Sequence, residues 1–172
     1  MSKKTVSNSN KTLILIICIG VFLGFFIKLF CFDLLHVSGT SMETTIKNGS
    51  TIAVNKLAYG FIKPYSDELL FKWKNPQKDD IVIYIYNNKF VVKRCVATEN
   101  TLLEYNSKDG YNLIVEGKII PLNENQFLNL KSSSKVPEGY ILAIGDNYLE
   151  SVDSRDYGFV NVNNILGKVL CK

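Results

Sequence analysis

The chain has 172 residues, 47% hydrophobic and 21% charged, with a net charge of +4; this excludes a disordered chain and leaves room for one compact domain with an apolar extension. Basic residues are scattered, without the stripe interleaved with aromatics that marks a nucleic-acid surface, so no nucleic-acid partner is expected. The four cysteines, Cys18, Cys31, Cys95 and Cys171, and the single histidine stand at no metal-pinching spacing, so neither a metal nor a cofactor is expected.

Residues 1–11 read as a basic tail carrying Lys3, Lys4 and Lys11, and residues 12–32 (TLILIICIGVFLGFFIKLFCF) as a transmembrane anchor. At about 1.5 Å rise per residue the run makes roughly 30 Å of helix, enough for a bilayer core. Lys28 sits near one end, where its stem reaches the headgroups. The basic tail predicts a cytoplasmic N-terminus, which places residues 33–172 outside the membrane. A cleavable signal peptide shares the basic start, but this run is longer and ends in Leu29, Phe30, Cys31 and Phe32 rather than at small residues. Cys18 and Cys31 fall in or beside it, which leaves Cys95 and Cys171 as the only pair able to bridge in an oxidising compartment.

Beyond the anchor, short β-favouring runs alternate with Asn, Gly, Pro and Asp, which predicts a mostly β domain with little helix. The runs are Thr51–Val54, Ile81–Tyr86, Lys89–Val96, Leu102–Tyr105, Tyr111–Val115, Tyr140–Ile144 and Ile165–Leu170. Asn87 and Asn88 tolerate positive φ and predict a tight hairpin between the second and third. Residues 97–137, rich in turn formers, read as an inserted β-ribbon. The stretch Tyr59–Lys74 mixes aromatics and lysines and holds the only tryptophan; it suits a membrane-interface patch or a loop packed on the core, and composition does not choose.

Three segments carry candidate chemistry. VSGTSM (37–42) is a short loop able to expose the Ser41 hydroxyl while a backbone N–H and Ser38 converge on one point; an ordinary turn has the same composition. Lys93 lies on a strand with Val91 and Cys95 on its face and Arg94 on the other, the apolar setting that a proton-accepting lysine needs, although a solvated strand-end lysine fits the same pattern. GDNYLESVDSRDYG (145–158) can form an Asp–Arg pair and bond its own backbone into a fixed shape; its charges are not at EF-hand spacing. His36, the only candidate for a Ser-His-Asp triad, reads better as an interfacial or packed histidine.

In this order after an N-terminal anchor, the segments resemble the type I signal peptidases over essentially the whole chain. SGTSM resembles that family's nucleophile box, DDIVIYIY with KFVVKR its central boxes, and GDNYLESVDSR its C-terminal box. The resemblance implies a β-rich, membrane-anchored serine endopeptidase on the outer face that removes signal peptides from exported preproteins after small residues. It implies Ser41 as nucleophile and Lys93 as general base, with an oxyanion hole of Ser38 and the Ser41 N–H. It further implies that Ser151 orients Lys93, that Asp153 and Arg155 brace the loop, and that Gly145 permits close approach. Met42, Ile81 and Ile83 would meet the substrate, with the Asp80–Tyr86 strand offering it an edge. The sequence departs from the family pattern at Thr44, where proline is usual, at Asp79, where glycine is more frequent, and at Tyr148, where arginine is usual.

Two other readings share these features. A peptidase-like factor that assists pilus assembly without cutting lacks the serine or lysine in many cases, whereas both stand here. A soluble self-cleaving Ser-Lys regulator conflicts with the apolar N-terminal run.

Overall fold

In the computed structural model, which describes residues 3–63, 69–108 and 110–170, helix α1 (Lys3–Phe26) passes into one π-helical turn (Ile27–Cys31). The start of the basic tail, residues 64–68 of the aromatic stretch, Asp109 and Cys171 lie outside the described residues. Ser9–Cys31 is the one helical stretch among the described residues long and apolar enough to cross a membrane, and none of its apolar window is buried. Phe32, read as the last anchor residue, instead opens strand β1 (Phe32–His36). Its N–H closes the π-turn onto the Ile27 carbonyl while its own backbone turns extended, so helix passes into strand with no linker.

Seven strands form the main sheet: β1, β2 (Thr51–Asn55), β5 (Ile81–Tyr86), β6 (Lys89–Ala97), β10 (Tyr140–Ile144), β11 (Val160–Asn161) and β12 (Ile165–Val169). Their order is β1-β2-β12-β5-β6-β10-β11. Between β5 and β6, Asn87 and Asn88 take φ of 49° and 58°, the paired left-handed values of a two-residue hairpin turn. The β5 strand lies inside the sheet, hydrogen-bonded to β12 on one side and β6 on the other. The expectation that it offers an edge to substrate is therefore corrected: β5 is paired on both sides, and its apolar run is buried on both faces from Ile81 to Tyr84.

The free main chain lies one strand over. β6 pairs with β10 only through Arg94, Cys95 and Ala97, so on that side Phe90–Val92 meets no strand among the described residues. Two short strands, β3 (Gly60–Ile62) and β4 (Leu69–Lys72), form a separate hairpin. Residues 97–137 hold a three-stranded antiparallel sheet of β7 (Glu104–Asn106), β8 (Asn112–Val115) and β9 (Lys118–Pro121). They also hold helix α2 (Glu124–Leu130), started by a reciprocal Asn123/Gln126 capping box. Leu103, Leu113, Val115, Ile120 and Leu130 close over Leu142 and Ile144 of β10. That packing continues the core up to the point where β10 delivers Gly145.

Candidate active site

The β5–β6 register pairs Lys93 with Val82 and Val91 with Tyr84. Opposed residues share a face, so Lys93 points into the apolar layer that holds Val82, Tyr84 and Cys95, and Arg94 points away. Lys93 is 3% exposed. Burial pushes its pKa below the ordinary 10.5, against the opposing pull of the Asp153 carboxylate.

The loop after β10 supplies its polar contacts. Lys93 Nζ donates to Ser151 Oγ at 2.9 Å, and Ser151 Oγ donates to Asp153 Oδ2 at 2.6 Å. With its one proton directed at Asp153, the Ser151 hydroxyl meets Lys93 as an acceptor, which fixes the amine's position. Asp153 caps the short helix α3 (Ser154–Tyr157) in a reciprocal box with Asp156. Its carboxylate accepts from the Gly145 N–H at 3.0 Å and from the Arg155 guanidinium at 2.9 Å through both Nε and Nη2. Arg155 is 1% exposed and also donates to the carbonyls of Tyr148, Ser151 and Pro121. A buried charge is tolerable only when so fully partnered. The Tyr148 ring lies 5.5 Å from the Arg155 guanidinium carbon and 5.9 Å from Lys118 Nζ. At this departure from the family pattern, an aromatic face meets two cations.

Ser41, half-buried, starts a turn that residues 37–40 connect to the end of β1. The 145–158 loop clasps that turn: Asn147 N donates to the Ser41 carbonyl at 2.9 Å, and Asn147 Nδ2 to the Thr40 carbonyl at 3.2 Å. A second clamp, which the motif reading missed, runs beneath it. Arg94 binds Asp146 bidentately at 2.8 and 2.7 Å. Asp146 Oδ2 also accepts from Thr45 Oγ1, on the same turn as Ser41. Its signal was the arginine beside Lys93 together with the aspartate beside Gly145.

Ser41 and Lys93 line one cleft of about 330 Å³, together with Ser38. Residues 35–39 form one side and residues 90–93 the other; Met42, Ile52 and Ile83, each 2–3% exposed, lie at its base. No hydrogen bond joins Ser41 to Lys93. Ser38 is exposed at the rim, and His36 lines the cleft without bonding to Ser41 or to a carboxylate. Ile81 is a correction: it pairs with Arg94, beyond the end of the cleft, and is buried in the core with Met42 and Ile83 rather than lining the opening. Cys95 carries a free thiol whose pKa burial raises to about 12. Among the described residues no cluster of His, Cys, Asp or Glu is placed to hold a metal.

The buried strand lysine Lys93 thus shares a cleft with the loop serine Ser41, with the Ser151 hydroxyl and the Asp153–Arg155 ion pair behind it. Comparison with known proteins gives the family. The model of the signal peptidase family, peptidase S26, matches residues 10–172. Signal peptidase I of Bacillus caldolyticus is 31% identical over 159 residues, covering 83% of this chain and 80% of that protein. Signal peptidase I V of Bacillus subtilis is 29% identical over 152 residues, covering 77% and 80%. A crystal structure of a signal peptidase I from Enterococcus faecalis aligns at a TM-score of 0.41 and 28% identity, over 56% of this chain and 97% of that one. The chain belongs to the signal peptidase family, peptidase S26, and its enzyme class is signal peptidase.

Proposed function

We propose that this signal peptidase is a membrane-anchored serine endopeptidase that removes N-terminal signal peptides from exported preproteins through a Ser41–Lys93 dyad. The observation that carries the reading is Lys93: buried, lowered in pKa, held by Ser151, and sharing a cleft with Ser41. Burial favours the neutral amine, the form that accepts a proton.

The preprotein lies extended in the cleft between residues 35–38 and the unpaired edge at Phe90–Val92, adding a strand to β6. Met42 and Ile83 at the cleft base leave room for small side chains only. Ser41 Oγ attacks the scissile carbonyl carbon and passes its proton to Lys93 Nζ. The oxyanion that forms is met by the Ser41 N–H and the Ser38 hydroxyl, whose rim position lets it turn inward as charge develops. Lys93 then protonates the leaving amine, which departs with the mature chain, and the signal peptide stays as an ester on Ser41. Water, deprotonated by Lys93, attacks that ester; the signal peptide leaves with a free C-terminal carboxyl group, and the Lys93 ammonium returns the proton to Ser41 Oγ. Ser151 holds Lys93 in line, Asp153 and Arg155 brace the loop, and Gly145 lets it close on Ser41. The stretch Ser9–Cys31 anchors the enzyme, and the lysines before it keep the N-terminus cytoplasmic and the cleft outside.

The test is cleavage of a labelled preprotein bearing an A-x-A site by purified enzyme in detergent, read by mass. The wild type cuts after the small residue, and Ser41→Ala and Lys93→Ala, folded by circular dichroism, do not. Cleavage that survives either substitution refutes the dyad.

A further inference from the structure

The loop from Gly145 to Gly158 carries four acidic side chains, Asp146, Glu150, Asp153 and Asp156. Three are engaged inside the fold. Asp146 holds Arg94 and Thr45, Asp153 holds Arg155, Ser151 and the Gly145 N–H, and Asp156 holds Gln126 and the Asp153 N–H. Glu150 alone has no side-chain partner among the described residues. Its backbone is nonetheless tied down: its N–H donates to the Asn147 carbonyl at 3.2 Å, and Asn147 in turn binds the Ser41 and Thr40 carbonyls. Glu150 and Val152 are exposed and line the cleft, while Ser151 between them turns inward onto Lys93. An unpaired carboxylate therefore stands in the cleft wall beside the base. It is the only acid among the residues that line the cleft, whose other titratable side chains are Lys93 and His36. Val37, Met42, Ile83, Phe90 and Val92 make much of the remaining wall apolar, which weakens the screening of a charge there.

In the proposed reaction the residues before the scissile bond lie along the free edge at Phe90–Val92. That edge ends at Lys93, because β10 pairs with β6 from Arg94 onward. Lys93 protonates the leaving amine, so the residues after the scissile bond leave past the wall made by Glu150 and Val152. We infer, resting on that reaction, that Glu150 is a specificity-determining residue for the mature side of the preprotein. Its carboxylate selects a basic side chain in the first two residues after the cut and disfavours an acidic one there. The apolar stem of a lysine or arginine can lie over Val152 while its charge meets Glu150. Glu150 acts on the substrate and not on the base, since the charges that act on Lys93 are those of Asp153, Arg155, Asp156 and Asp146.

The test uses the full chain in non-ionic detergent and peptides that share one A-x-A site. They differ only in the first two residues after the cut, which are both Lys, both Gln or both Glu. The expected order of kcat/KM is Lys above Gln above Glu, with about 10-fold between the extremes at low salt. The difference lies chiefly in KM and narrows as salt is added. Glu150→Gln brings the three rates together without moving the midpoint of the pH profile, and Glu150→Lys reverses their order. A wild type indifferent to the three peptides, or a preference that survives Glu150→Gln, overturns selection by Glu150 while the peptidase reading stands. A Glu150→Gln defect equal for all three peptides, with a shifted pH midpoint, also overturns it, because Glu150 then acts through Lys93. A wild type that cuts none of the peptides overturns both.

Discussion

Gly145 lies so close to Ser151 that a β-carbon at position 145 would fall 2.2 Å from the Ser151 hydroxyl and 2.6 Å from the Ser41 carbonyl. One missing methyl group thus lets the C-terminal loop reach both the turn that carries Ser41 and the residue that holds Lys93. Gly145→Ala must push the two segments apart, at a cost of about 1–3 kcal/mol in stability. A displacement near 1 Å at the reacting groups lowers kcat/KM by about 10²-fold. Preprotein cleavage kinetics alongside thermal unfolding check both numbers, and activity should fall further than stability accounts for.

Lys93 also makes a prediction about stability. Its folded pKa is below the 10.5 of the free side chain, so between the two values the unfolded chain binds a proton that the folded chain does not. Stability contributed at this site therefore rises with pH across that window, by up to about 1.4 kcal/mol per unit, and its cost is fully present below the folded value. Lys93→Met removes the titration. The variant should be more stable than wild type at neutral pH, and its advantage should shrink as pH climbs toward 10.5. The difference between the two unfolding curves is the quantity to follow, because the tyrosines with raised pKa titrate in both proteins.

Arg155 and Asp153 form a pair 2% and 0% exposed. Arg155→Ala strands a buried carboxylate and should cost about 3–5 kcal/mol. Arg155→Lys should recover little of it, since one ammonium cannot reproduce the guanidinium fork that binds both carboxylate oxygens. Denaturant unfolding of the three proteins measures this.

Asp79 holds φ of 69°, a left-handed value at which glycine is free of strain. Its hydrogen bonds run through the backbone, its N–H donating to the Cys95 carbonyl and its carbonyl accepting from Arg94 at 3.1 Å, while its carboxylate acts on Arg94 and Lys78 only through charge. Asp79→Gly keeps both bonds and should raise stability by about 0.5–1 kcal/mol, or a few degrees in Tm, with cleavage unchanged.

Much of this was legible in the sequence for identifiable reasons. Ile81–Tyr86 and Tyr140–Ile144 are apolar runs bounded by turn formers, and Asn87-Asn88 is a turn with a mechanism. The β3–β4 hairpin was not legible, because its Lys and Tyr content matches a loop. Helix α2 is short and weakly periodic, yet Asn123-x-x-Gln126 is a capping signal that sequence alone contains. At the site, the residue types were readable and their pairing was not. Nothing local says that Arg94 reaches Asp146, 52 positions away, or that Ile81 ends up behind the cleft while Ile83 lines it.

The central claim is that a neutral Lys93 takes the proton from Ser41. The most direct measurement is kcat/KM against pH for a preprotein with no titrating groups beside its cleavage site. Because the neutral amine is the active form, activity should rise with pH along a single-proton limb whose midpoint lies below 10.5. A limb that appears only at the ordinary lysine value, or a profile with no acid limb at all, would contradict Lys93 as the base.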